Sequence, residues 1–163
     1  LGWQRVAFAD TLREAALAIN PIVYSRVSVG GDEAWSDHIR LAHIVSTHGW
    51  DKAKQNPEVR RLLQVIGTEA GRDIHGKDCW IMAADAKINS ENVVFTDVRF
   101  ENECEYIRHN GGKVYHIERP GVGPVNSHVS DKLEFEPDGV ILNDGTLDDL
   151  REKILGVVNA TVS

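Results

Sequence analysis

The sequence predicts an α/β fold: a parallel sheet covered on both faces by helices, with a helical subdomain inserted at about residues 21–89. Three observations predict it. Four short apolar runs alternate with stretches of helical spacing, the pattern of a parallel sheet with crossover helices. The 163 residues are 42% hydrophobic and 26% charged, the balance of one globular domain with its own core. The run Val93-Val94-Phe95-Thr96-Asp97-Val98-Arg99 reads as a buried strand that presents Asp97 at its C-terminal end and Arg99 in the turn beyond. In open α/β sheets that edge is where ligands bind.

The elements follow in order. Arg5-Val6-Ala7-Phe8-Ala9-Asp10 reads as a short strand ending in an aspartate. Asp10 or Thr11 then caps a helix whose apolar face is Leu12, Ala15, Ala16 and Ile19, ended by Asn20-Pro21. Residues 24–37 read as irregular, with a turn at Val29-Gly30-Gly31-Asp32. Helical spacing returns from Ile39 to a stop at Gly49. Pro57 opens the longest helix, with Val59, Leu62, Leu63, Ile66 and Ala70 as its stripe. Residues 78–89 form another, with Trp80, Ile81, Ala84 and Ile88 inward. After the strand at residues 93–95, a helix from Glu101 ends at Asn110-Gly111-Gly112. A strand at 113–118, a loop at 122–137, a strand at Gly139-Val140-Ile141-Leu142-Asn143 and a helix capped by Thr146 complete the chain. Leu147, Leu150, Ile154 and Val157 are the inward face of that last helix.

Asp97 and Arg99 are the chemical centre of this reading. A carboxylate at a strand end holds Mg²⁺ directly or through water, and an arginine two residues on reaches a phosphate bidentately. That pairing suits phosphoryl transfer, which rests on positioning and charge neutralisation. A surface ion pair or a helix cap explains the same residues without chemistry. At the end of the long helix, Gly67 and Gly71 cost roughly 1 kcal/mol each relative to alanine. A close approach by a ligand or by another helix would account for them. Arg72 and Thr68 share a face there, which suits a phosphate.

Composition excludes other classes. A net charge of -7 argues against a nucleic-acid polymer as partner, since backbone binding wants a basic face. No apolar run is long enough for a membrane span and no signal peptide is visible, so a cytoplasmic location is the default. Cys79 and Cys104 show no metal-ligand spacing and read as free thiols. His38, His43 and His48 recur every five residues, not at the i, i+4 spacing of a zinc pair.

Several runs taken together resemble the phage-type deoxynucleoside monophosphate kinases, a P-loop kinase family. They are Arg5 to Asp10 with Leu12-Arg13-Glu14, Gly49-Trp50-Asp51-Lys52-Ala53-Lys54, Arg60-Arg61-Leu62-Leu63 and Gly67-Thr68-Glu69-Ala70-Gly71-Arg72. Asp97-Val98-Arg99-Phe100 with Asn102-Glu103, Glu118-Arg119-Pro120-Gly121 and Asn143-Asp144-Gly145-Thr146 continue the likeness, which covers nearly the whole chain. The resemblance implies a P-loop NTPase-like domain over residues 1–163 that passes the γ-phosphate of ATP, with Mg²⁺, to a deoxynucleoside monophosphate, in the host cytoplasm if phage-encoded. It also suggests a homodimer. The family opens with a strand and a Walker A loop, and no such pattern stands here; Gly30-Gly31-Asp32 lacks the lysine and the following helix. The expectation is that a strand and loop precede Leu1, the alternative being a shortened, non-catalytic relative.

On this resemblance Asp97 is the Walker B-like carboxylate that holds Mg²⁺, and Arg99 meets the transferring or acceptor phosphate. Arg72 takes the acceptor monophosphate, with Thr68 and Glu69 on the same side. Asp10 and Arg13 touch acceptor phosphate or sugar. Trp80 stacks on the base or packs in the core. Arg119 and His128 lie on the segment that closes over ATP. Another P-loop small-molecule kinase, of the phosphomevalonate kind, and a non-enzymatic nucleotide-binding relative remain the competing readings. The bases accepted are not legible from spacing.

Overall fold

The structure, a computed structural model, describes residues 2–27, 36–122 and 135–162. Strand β1 (Gln4–Val6) runs directly into helix α1 (Phe8–Ile19), so the expected strand over residues 5–10 ends three residues after it begins. The reason lies far along the chain. Strand β4 (Val93–Phe95) pairs in parallel with β1, placing Val6 beside Phe95, and Asp97 follows it. The Asp97 carboxylate accepts the backbone N–H of Phe8 through Oδ1 and of Ala9 through Oδ2, both at 2.9 Å. These are two of the donors that every helix start leaves without a partner. The Phe8 ring stacks on Phe95 at 4.7 Å between centroids. The expected caps are corrected accordingly: Ala7 occupies the N-cap position without a side-chain bond, and the Thr11 hydroxyl donates to the Phe8 carbonyl instead.

Asn20 ends α1 in the left-handed region (φ 47°, ψ 56°), a conformation asparagine tolerates better than most residues. Its side-chain oxygen then accepts the N–H of Ala42 at 3.0 Å. The irregular stretch expected at 24–37 is instead largely a hairpin, β2 (Ile22–Val27) antiparallel to β3 (Ser36–Arg40). Its apolar alternation is weak because Val23 is its one buried side chain among those described, while Tyr24, Ser25, Asp37 and His38 are exposed. The turn expected at residues 29–32 lies outside the described residues.

Helix α2 (Leu41–Ala53) is broken at Gly49 (φ 75°, ψ 168°), a backbone conformation that glycine alone adopts without strain. Helix α3 (Pro57–Gln64) starts as proline at the first position demands, with the Asn56 side chain accepting the Glu58 N–H. A π-helical stretch (Val65–Arg72) and the single turn α4 (Asp73–His75) continue it. Helix α5 (Cys79–Asp85) is shorter than the span expected, with Ile81 and Ala84 buried. The core of this region gathers Ala16, Val23, Leu41, Ala53 and Val59, with Trp50, Leu62 and Ile66 packed against it.

The chain divides into two compact units, Leu1–Asp97 and Val98–Ser163. In the second, helix α6 (Glu101–His109) leads to strands β5 (Tyr115–Glu118) and β6 (Gly139–Leu142), which pair in parallel, and to helix α7 (Leu147–Val162). Asp138 ties this unit together: its carboxylate accepts the Val114 N–H at 2.7 Å and pairs with Arg108. Thr146 caps α7 as expected, its hydroxyl accepting the Asp149 N–H. Leu147, expected to face inward, is 81% exposed, because it occupies the first position after the cap and the apolar stripe begins a turn later. The fold is thus mixed α/β with small parallel sheets flanked by helices. Among the described residues the strands pair two by two rather than in one continuous sheet.

Two outcomes follow. Asp97→Ala removes the acceptor for both α1 N–H groups and should cost about 1–2 kcal/mol in denaturant unfolding, whereas Asp97→Asn should retain part of it. An unchanged midpoint for the alanine variant would contradict the capping role. In the second unit, the Val114 N–H and then the Arg108 guanidinium hold the Asp138 carboxyl below its usual 3.8. Asp138 therefore adds stability that is complete above that value and is lost as pH falls through the lowered one. Asp138→Asn should lose about 1 kcal/mol at neutral pH, with the gap to wild type closing below about pH 4. A gap that is constant across the acid range would count against it.

Candidate functional site

The first turn of α1 gathers three of the expected residues. Asp97 lies over the helix start through its two N–H contacts. Asp10, in that turn, accepts Arg13 Nη1 on Oδ1 at 3.0 Å and Arg5 Nη1 on Oδ2 at 2.7 Å. One carboxylate thus orders two guanidiniums. Arg13 is 26% exposed and its Cζ lies 5.9 Å from the centre of the Trp50 ring. Arginine matches phosphate with a rigid fork of donors, so an ordered guanidinium here is equipped to bind one.

The second group sits on the π-helical stretch. Thr68 and Glu69 are exposed and Arg72 is half-buried. The Asp73 N–H donates to the Thr68 carbonyl, the five-residue register of a π-helix, a geometry frequent at functional sites. The glycines have a packing explanation. A Cβ on Gly67 would stand 3.3 Å from Leu12 Cδ2 of α1, and one on Gly71 only 2.7 Å from the Trp80 ring. Trp80 also donates its indole N–H to the Gly67 carbonyl at 2.8 Å. The close approach at this helix is therefore by α1 and α5. Trp80 packs against Gly71, and the contact of Leu12 with Gly67 brings the π-helical stretch alongside α1.

The remaining residues belong to the second unit. The Arg99 side chain is exposed, while its backbone N–H donates to Glu103 Oε2 at 2.8 Å and Phe100 does so at 3.2 Å. Glu103 is 3% exposed. A buried carboxylate thus fixes the turn that carries Arg99. Arg119 is exposed just past β5, and His128 lies outside the described residues.

Sequence reasoning missed Arg5, Trp50 and Glu103. Arg5 and Trp50 are remote from Arg13 in spacing, although the Gly49-Trp50 break was a signal that the helix turns there. Glu103 lacked its usual partner: a capping box opens with Ser or Thr, and Phe100 stands in that place. Both thiols are free, Cys104 buried and its thiol pushed up by burial, Cys79 only half-buried. His38, His43 and His48 are exposed, His38 paired with the Ser25 hydroxyl at 2.9 Å.

Among the described residues no three His, Cys, Asp or Glu side chains gather as a metal cage. Mg²⁺ uses one or two carboxylates together with waters and phosphates, so Asp97 fits its needs without such a cage. Each Asp97 oxygen accepts one backbone N–H, and a carboxylate oxygen can accept two, leaving room for a metal-bound water. No helix among the described residues is long and apolar enough to cross a membrane.

The family model for deoxynucleotide monophosphate kinase matches residues 7–154. A relative from Acanthamoeba polyphaga mimivirus is 27% identical over 137 residues, covering 69% of this chain and 70% of its own length. The deoxynucleotide monophosphate kinases of Escherichia phage RB69 and Enterobacteria phage T4 are 31% and 34% identical over 104 residues, 59% of this chain. In both cases the chain spans 43% of the phage enzyme's length. A match across nearly all of the chain, with relatives of the same kind, places it in one family: the protein belongs to the deoxynucleotide monophosphate kinases.

Proposed function

We propose that the protein is a phosphotransferase that moves the γ-phosphate of ATP to a deoxynucleoside monophosphate, and that the residues described here build its acceptor side. The observation that carries the reading is the Asp97 clamp. It joins the C-terminal end of β4 to the first turn of α1, where Asp10 orders the Arg13 guanidinium. That is the edge at which α/β sheets bind ligands.

In this reading Arg13 and Arg72 hold the acceptor monophosphate, with Asp10, Thr68 and Glu69 beside them. Arg99 meets the oxygens on which charge builds in the transition state, its turn braced by Glu103. Arg119 and His128 serve the ATP side. Trp80 sets the wall against which the π-helical stretch carrying Thr68, Glu69 and Arg72 packs. Asp97 would hold Mg²⁺ through water. Mg²⁺, when bound with ATP, neutralises the phosphate charge. The ATP phosphates require a Walker A loop, which the proposal assigns to residues outside these 163. A homodimer acting in the host cytoplasm completes the proposal, with light scattering as the measurement of its mass.

The test is ATP-dependent phosphorylation of each deoxynucleoside monophosphate by the intact gene product. Turnover of a non-nucleotide alone would sink the reading, and so would binding of a monophosphate without any ATP binding. Arg99→Ala should lower kcat about 10²-fold or more with an unchanged melting temperature, since its side chain is exposed. Near-wild-type turnover would remove Arg99 from the mechanism.

A further inference from the structure

The Arg13 guanidinium is held from two directions. Asp10 accepts one of its N–H groups at 3.0 Å, the single hydrogen bond it donates among the described residues. The Trp50 ring lies beneath it at 5.9 Å. Trp50 reaches this place because α2 breaks at Gly49, where the backbone is turned to φ 75° and ψ 168°. A Cβ at Gly49 would meet nothing within 4 Å, so glycine serves the turn rather than close packing. The ring itself is anchored, half-buried against the core formed by Ala16, Val23, Leu41, Ala53 and Val59. A rigid aromatic face under an arginine attracts the cation and removes rotamer freedom that phosphate binding would otherwise have to remove.

We propose that Trp50 is a positioning residue for the acceptor monophosphate: it holds Arg13, together with Asp10, in the orientation that binds the phosphate. The inference rests on the proposed function. It adds a residue with no polar role of its own, selected by the π-face that Arg13 requires. Arg5 shares the Asp10 carboxylate from the other oxygen, so the three charged groups and the ring act as one unit.

The experiment uses the intact gene product with ATP saturating and the deoxynucleoside monophosphate varied. Trp50→Leu should raise KM for the monophosphate about five- to tenfold with kcat within about twofold, the size of a partly desolvated cation–π contact. Trp50→Phe and Trp50→Tyr, which retain an aromatic face, should stay within about twofold of wild type. In an Arg13→Ala background, Trp50→Leu should have no further effect on KM. A Trp50→Leu loss that persists in that background, or that Trp50→Phe reproduces in full, would assign Trp50 to packing and overturn the inference. If the leucine variant fails to fold, wild-type protein decides. The Arg13 Nε–H resonance, assigned by its loss in Arg13→Lys, should be displaced upfield by the ring and move again when monophosphate is added. A resonance at the ordinary position that ignores the nucleotide overturns the inference. Inactive wild-type protein that binds no monophosphate brings down the proposed function and this inference with it. Active wild type with an indifferent Trp50→Leu brings down the inference alone.

Discussion

Two hydrogen bonds 88 and 89 residues apart in sequence, from the N–H groups of Phe8 and Ala9 to the Asp97 carboxylate, are what the first unit is built on. A helix start leaves its leading N–H groups without partners, and an anion there gains from the helix dipole as well. Asp97 supplies that anion from the end of β4, at the point where β4 has just paired with β1. The stacked rings of Phe8 and Phe95 reinforce the same junction. Strand end, helix start and carboxylate are thus fixed by one another. Any side chain in the first turn of α1 inherits a defined position relative to the strand edge. The chemistry proposed for Asp10 and Arg13 depends on that inheritance.

The helical region around this junction uses a second constraint, close approach. Gly67 lets α1 pack through Leu12, and Gly71 admits the Trp80 ring, whose N–H bonds the Gly67 carbonyl. The glycine cost to helix propensity is offset by these contacts. The packing holds the stretch on which Thr68, Glu69 and Arg72 are presented. In the second unit the buried Glu103 does the corresponding work for the turn of Arg99, through backbone N–H groups rather than through the arginine side chain.

Much of the local structure was legible because it depends on local chemistry. Pro57 after Asn56, the Asn20 terminus, the break at Gly49 and the Thr146 cap all rest on propensities that act within a turn of chain. The hairpin β2–β3 was not legible, since among its described side chains only Val23 is buried. The strand at β1 was read too long because Phe8 and Ala9 are as apolar as strand residues. Their helical state is decided by a carboxylate that no window of nearby sequence contains.

By itself the sequence determined the α/β class, the order of most elements and the family, and it named the arginines and carboxylates proposed for phosphate chemistry, because these depend on composition, spacing and short motifs. Tertiary structure alone decided which of them meet. It set Asp97 on the α1 N-terminus and Arg13 between Asp10 and Trp50. It also laid Trp80 along the glycine face of the π-helical stretch. The reason is physical: hydrogen bonds, ion pairs and ring contacts act over a few ångströms in space, and chain separation places no limit on which residues come within that reach.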